Sequence, residues 1–88
     1  MNIRVDVIVA CTNAQGTPML VVVEEINVTQ DEYFNGLHYE RAKAAAGKQG
    51  YEAPYVAIDK SDMNEDLFKA IQFWAPDVIS GENAHVDD

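Results

Sequence analysis

The chain has 88 residues, of which 48% are hydrophobic, and this allows one folded domain with a modest core. Its formal net charge of −9 repels nucleic-acid phosphates and anionic membrane surfaces, which argues against direct binding to either. The single Cys11 cannot form an internal disulfide, and the apolar run at 5–11 is too short and too polar for a membrane span or a signal peptide. We therefore expect a cytoplasmic protein.

The first part of the chain predicts a β-hairpin. Apolar residues at the odd positions from 3 to 11 have the period of a half-buried strand, and turn-forming residues at 12–18 reverse the chain. In the second strand, at 19–28, the apolar positions 21 and 23 have one parity, whereas 26 and 28 have the other. A bulge at Glu24 and Glu25 would place all four on one face and turn both acids outward. The alternative is a strand buried on both faces, with the two glutamates at its fraying end.

The next segment predicts the principal helix. Thr29 lies three residues before Glu32, the spacing of a capping box, so the helix should begin here. Gly36 costs about 1 kcal/mol relative to alanine inside a helix. Either the helix bends at this glycine, or a short opening turn precedes a main helix that starts at Leu37. One of the glycines at positions 47 and 50 should end it.

The last part predicts a strand over 55–58 and a second helix over 63–73. Pro54 suits the start of a strand or a sheet edge, and Asp62 with Glu65 has the spacing of a second capping box. The resulting order, β-β-α-β-α, predicts an α+β two-layer sandwich, in which two helices cover one face of a small antiparallel sheet. The third strand could pair with either arm of the hairpin. We expect one domain over 1–79 and a flexible acidic tail over 80–88.

Few residues suggest chemistry. A catalytic or metal-binding role for His38 would need a partner, and no His or Cys lies at helical spacing from it. A carboxylate such as Asp59 would have to approach it in three dimensions, which the sequence does not show. We therefore interpret His38 as a partly buried side chain that hydrogen-bonds across the helix–sheet layer. The acidic run at 59–66 is similar to a calcium loop, but Asn64 and Ala70 stand where that loop has glycine and glutamate. A buried Cys11 would be unreactive. We predict no catalytic residue, metal site or cofactor, and no enzyme activity.

Acidic and tyrosine side chains are the candidates for contact with a partner protein. Exposed tyrosines rimmed by acids are typical of protein-binding patches, although solubility and helix capping also account for many acids. The residues predicted to contact a partner are Glu24, Glu25, Asp31, Glu32, Tyr33, Tyr39, Glu40, Asp59, Asp62, Glu65 and Asp66.

In size, acidity and lack of catalytic motifs the chain resembles the small phage-encoded inhibitors of bacterial defence, including DNA mimics and anti-CRISPR proteins. The likeness covers bulk properties of the whole chain and no shared motif. It implies a phage protein that acts in the host cytoplasm, where it occupies a basic nucleic-acid-binding surface of a host defence protein.

The alternative is a structural or regulatory domain that self-associates as a homodimer, through an edge strand or an exposed tyrosine face. The arrangement of charge separates the two hypotheses. Mimicry needs acids gathered on one face, whereas a dimer needs an apolar patch largely free of them.

Overall fold

A computed structural model describes residues 2–76 and 78–85, and within these ranges the chain forms a four-stranded sheet and three α-helices. The elements in chain order are β1 (Asn2–Thr12), β2 (Pro18–Thr29), α1 (Gln30–Phe34), α2 (Leu37–Lys48), β3 (Glu52–Asp59), a 3-10 turn (Lys60–Asp62), α3 (Glu65–Trp74) and β4 (Ile79–His85). The predicted α+β class is confirmed. None of the described helices is long and apolar enough to cross a membrane.

The strands lie in the order β3-β1-β2-β4. β1 is antiparallel to both β2 and β3, so the third strand pairs with the first arm of the hairpin. β4 runs parallel to β2 and was not predicted: residues 80–85, expected to belong to a flexible tail, pair with the open edge of β2 instead. The rest of the expected tail, 86–88, lies outside the described residues. This segment is polar, so it has no hydrophobic pattern from which a strand could be predicted. It can still form one, because backbone pairing with an existing sheet edge needs no apolar pattern.

The predicted β-bulge is confirmed. Glu24 and Glu25 of β2 together oppose Asp6 of β1, where the pairing register shifts by one residue. Glu25 has a φ of +59°, and its backbone N–H donates to Oδ1 of Asp6 at 2.9 Å. Consequently the side chains at positions 21, 23, 26 and 28 are all buried on the same face of the sheet.

Hydrogen bonds at the helix ends explain where α1 and α2 lie. The hydroxyl of Thr29 accepts from the N–H of Glu32 at 3.2 Å, and the Glu32 carboxylate accepts from the N–H of Thr29 at 2.7 Å, which confirms the capping box. Gly36, with a φ of +78°, separates the short α1 from α2. At the other end of α2, Gly50 has a φ of +96°, and the N–H of Tyr51 donates to the carbonyl of Ala46 at 3.1 Å.

The start of α3 differs from the predicted second capping box. Its N-cap is Asn64, whose side-chain oxygen accepts from the N–H of Leu67 at 2.8 Å. Asp62 lies in the preceding 3-10 turn instead. Both residues are good N-caps, and the turn that follows β3 moves the start of the helix two residues along the chain.

The main core lies between the sheet and α2. Ala42, Ala45 and Ala46 of α2 are buried, because their small side chains let the helix approach the sheet closely. The sheet contributes its inward-facing buried side chains, namely Val7, Val9, Cys11, Met19, Val21, Val23, Ile26 and Val28.

α3 lies on the opposite face of the sheet, which corrects the expectation that both helices share one face. Leu67 and Ile71 line a groove with Ile8 and Ala10, the even-numbered residues of β1. Even and odd residues of a strand point to opposite faces. Because β1 is apolar at 8 and 10 as well as at its odd positions, the sheet has two apolar faces. No residue of α3 is fully buried.

Candidate functional site

A buried polar pair joins α2 to β3. Nε2 of His38 lies 3.0 Å from Oδ1 of Asp59, and the two residues are only 2% and 6% exposed. His38 therefore hydrogen-bonds across the helix–sheet layer, as the sequence analysis interpreted it. The pair also brings together the histidine and the carboxylate that a catalytic or metal-binding role would require.

Two tyrosines complete this cluster. The hydroxyl of Tyr33 donates to Oδ2 of Asp59 at 2.8 Å, and its ring stacks on His38 with centroids 4.5 Å apart. The ring of Tyr39 lies against His38 at 3.9 Å. The hydrogen bond to Asp59, and then the charge of that carboxylate, raise the pKa of Tyr33. Burial and then the charge of Asp59 raise the pKa of Tyr39.

The cluster is built to hold α1, α2 and β3 together. Asp59 accepts from two neighbours, and Nδ1 of His38 is buried with no hydrogen-bond partner among the described residues. A proton on Nε2 fits this arrangement, because Nε2 then donates to the carboxylate. Within 2–76 and 78–85, no three His, Cys, Asp or Glu side chains are placed to hold a metal ion.

Most of the predicted partner-binding acids lie toward one end of the sheet, where β1 begins and β2 and β3 end. Asn2 pairs with Thr29 at this end, so α1 follows directly from it, and the 3-10 turn after β3 packs beside β1. α3 then begins near Val22 and Ile8. Val22 and Ile8 pair in the middle of the sheet, so Glu65 and Asp66 of α3 do not lie at this end. We call the region where β1 begins and β2 and β3 end the acidic end; its acids are Glu24, Glu25, Asp31, Glu32 and Asp62. They outnumber the cations Arg4 and Lys60, which line a pocket there with Asp6.

The remaining predicted contact residues are less free to meet a partner. Asp59 is buried and bonded within the polar cluster, so its carboxylate is not on the surface. Tyr33 and Tyr39 are partly buried against the core. Glu40 is exposed on α2 and lies 3.9 Å from Lys43. The sequence shows residue type but not burial, and Asp59 was selected on charge alone.

Sequence reasoning missed an apolar groove beside α3. The α3 groove has a volume of about 310 Å³, and its lining residues are Ile8, Ala10, Leu20, Val56, Ile58, Leu67 and Ile71. A second groove of about 430 Å³ shares Ile8 and Leu20 and includes Phe68 and Glu65. Phe73 and Trp74 at the end of α3 are 79% and 85% exposed. Apolar residues at both parities of β1 were the available signal for a second apolar face.

Comparison with known proteins gives no relative for this chain. No protein-family model, no curated protein and no solved structure matches it.

Proposed function

We propose that this chain is a non-enzymatic protein-binding protein whose acidic end occupies a basic, nucleic-acid-binding surface of another protein. The inhibitors of bacterial defence described above, of the anti-CRISPR and DNA-mimic types, are the functional class we assign to it. It would act in the cytoplasm of a host cell, on a defence protein.

The observation that carries this proposal is the convergence of acids from separate elements on one end of the sheet. The bulge turns Glu25 into solvent, the first turn of α1 contains the exposed Asp31, and the 3-10 turn contains the exposed Asp62. Gathered negative charge of this kind steers a basic surface toward the protein and opposes its binding to nucleic acid. Association should therefore weaken steeply as salt is added.

The first test is capture from bacterial lysate at low and at high salt, with mass spectrometry of the bound proteins. A stoichiometric nucleic-acid-handling partner, released by salt and displaced by DNA or RNA, is the expected result. A partner that DNA and RNA fail to displace would contradict the proposed binding mode.

Self-association is the second candidate, and one specific observation favours it. None of the described side chains that line the α3 groove is charged, and the exposed Phe73 and Trp74 lie on the same helix. An uncharged apolar patch of this kind is what a homodimer needs. Sedimentation velocity over a range of protein concentrations tests it: a monomer at every concentration would remove this candidate, and a dimer abolished by Trp74→Glu would support it.

A further inference from the structure

The second face of the sheet is only partly covered. α3 lies across it, yet no residue of α3 is fully buried, and grooves flank the helix on both sides. Val56 of the edge strand β3 is 60% exposed beside the α3 groove. A concave site lined by apolar side chains is a common place for a ligand or partner to bind.

From this geometry we propose that the α3 groove binds an apolar side chain of a partner segment whose flanking residues are Lys or Arg. This inference rests on the proposed function, because it names the part of the basic partner that is held and adds a second contact to the acidic end. The groove supplies apolar contact, and Glu65 and Asp66 in the first turn of the same helix attract the flanking basic residues.

Charge complementarity identifies this occupant. Among the side chains that the structure describes, none that lines either groove is basic, whereas Glu65 lines the second groove and Asp66 follows it in the first turn of α3. The nearest cation in this helix, Lys69, lies 3.5 Å from Glu65, and both side chains are exposed. The apolar group of such a segment therefore contacts the groove, and its basic residues are attracted to these acids. A second copy of this chain, with a net charge of −9, would instead be repelled.

The size of the α3 groove fits one or two side chains. Its volume of about 310 Å³ is at the lower end of the range for ligand sites, roughly 300–1,000 Å³. We use leucine and phenylalanine as the apolar anchors of the probe, because apolar side chains are what hydrophobic peptide-binding grooves hold.

Trp74 is the reporter for the test, because it is the single tryptophan of the chain and lies one helical turn from Ile71. The probe is a short synthetic peptide with a central Leu-Phe pair between lysine pairs. Two further peptides are compared with it, one with glutamates in place of the lysines and one with serines in place of the Leu-Phe pair. We expect binding of the first peptide to change the Trp74 emission and the others to bind at least about tenfold more weakly.

The variants are Ile71→Glu and Val56→Glu, with Gln72→Glu as a control that adds the same charge to an exposed position of α3. Both groove variants should weaken binding of the lysine peptide by about tenfold or more, and the control variant should weaken it by less than about twofold. Val56→Glu keeps the test valid if Ile71→Glu disturbs the helix, which far-UV circular dichroism reports.

Equal binding of the lysine and glutamate peptides would overturn the inference, as would binding unchanged by both groove variants. Failure of the peptide to bind, together with a dimer that Ile71→Glu abolishes, would assign the groove to a second copy. If the lysate partner is still captured and displaced by DNA while the peptide fails, only the groove inference is lost. If no displaceable partner is captured, the proposed function itself fails.

Discussion

Nε2 of His38 and Oδ1 of Asp59 lie 3.0 Å apart across 21 positions of sequence, and both side chains are buried. The contact joins the principal helix to the edge strand β3, and Tyr33 of α1 donates to the other oxygen of the same carboxylate. Asp59 is thus the acceptor at which three elements meet. This acceptor is costly to remove, because the buried His38 would then lose its partner without regaining water.

Replacement of Asp59 by alanine should destabilise the fold by about 2–4 kcal/mol, since His38 and Tyr33 would both lose their acceptor. Urea denaturation at pH 7 measures this loss. Glu52→Ala removes an exposed acid from the same strand and should change stability by less than about 0.5 kcal/mol. Equal effects of the two substitutions would show that the polar cluster contributes nothing.

Alkaline pH should destabilise the protein through Tyr33. The hydrogen bond to Asp59 and the charge of that carboxylate raise the pKa of Tyr33, so the folded state keeps a proton that the unfolded chain loses above about pH 10. Stability that is fully present below this pH is then lost as the pH rises through the raised pKa. Tyr33→Phe should make the decline between about pH 9 and 11 shallower, as measured by denaturation at each pH.

Tyr55→Phe is the control for the alkaline experiment. The hydroxyl of Tyr55 donates to the backbone carbonyl of Tyr51 at 2.6 Å, so this variant also loses one hydrogen bond, but not one to a carboxylate. The slope of its stability against pH should match that of the unmodified protein. Two parallel slopes for Tyr33→Phe and Tyr55→Phe would contradict the role assigned to Asp59.

Glu25→Gly should stabilise the fold by about 1 kcal/mol, because Glu25 adopts a left-handed backbone conformation that disfavours residues with a Cβ. Glu24→Gly, one residue earlier and without a positive φ, should instead destabilise by about 0.5–1 kcal/mol. Thermal unfolding of the two variants separates these effects. A loss of stability in both would mean that the bulge stores no strain at Glu25.

Asn64→Ala should lower the free energy of unfolding by about 1 kcal/mol and reduce the helical signal in circular dichroism, since the side chain of Asn64 caps α3. Asp62→Ala should have a much smaller effect, because Asp62 lies in the preceding turn. A larger loss for Asp62→Ala would return the cap to the position that the sequence spacing first indicated.

Local sequence patterns predicted those features of the fold that depend on one short segment, namely the β-bulge and the first capping box. The change of parity between 23 and 26 located the bulge, and the spacing of Thr29 and Glu32 located the first capping box. The spacing of Asp62 and Glu65 indicated a cap at 62, whereas Asn64 caps α3, because the length of the turn after β3 depends on its packing beside β1. Local signals are sufficient for helix ends and bulges only when one candidate stands alone.

Contacts between distant segments could not be predicted. The pairing of His38 with Asp59 depends on where β3 lies in the sheet, and the sequence left its neighbour open. β4 has a polar sequence and forms a strand only through its pairing with the edge of β2. The position of α3 depends on which of the two apolar faces of the sheet the chain reaches after β3. For the candidate site, residue type identified the acids, but neither their grouping at one end nor the burial of Asp59 could be predicted.

The central claim is that the acidic end makes the contact with a basic partner, and two matched charge reversals test it most directly. Glu25 and Glu52 are both exposed strand glutamates, the first at the acidic end and the second at the start of β3, toward the opposite end of the sheet. Calorimetric titration with the captured partner should show binding weakened about tenfold by Glu25→Lys and less than about twofold by Glu52→Lys. Equal weakening by the two variants, or none by Glu25→Lys, would contradict the account.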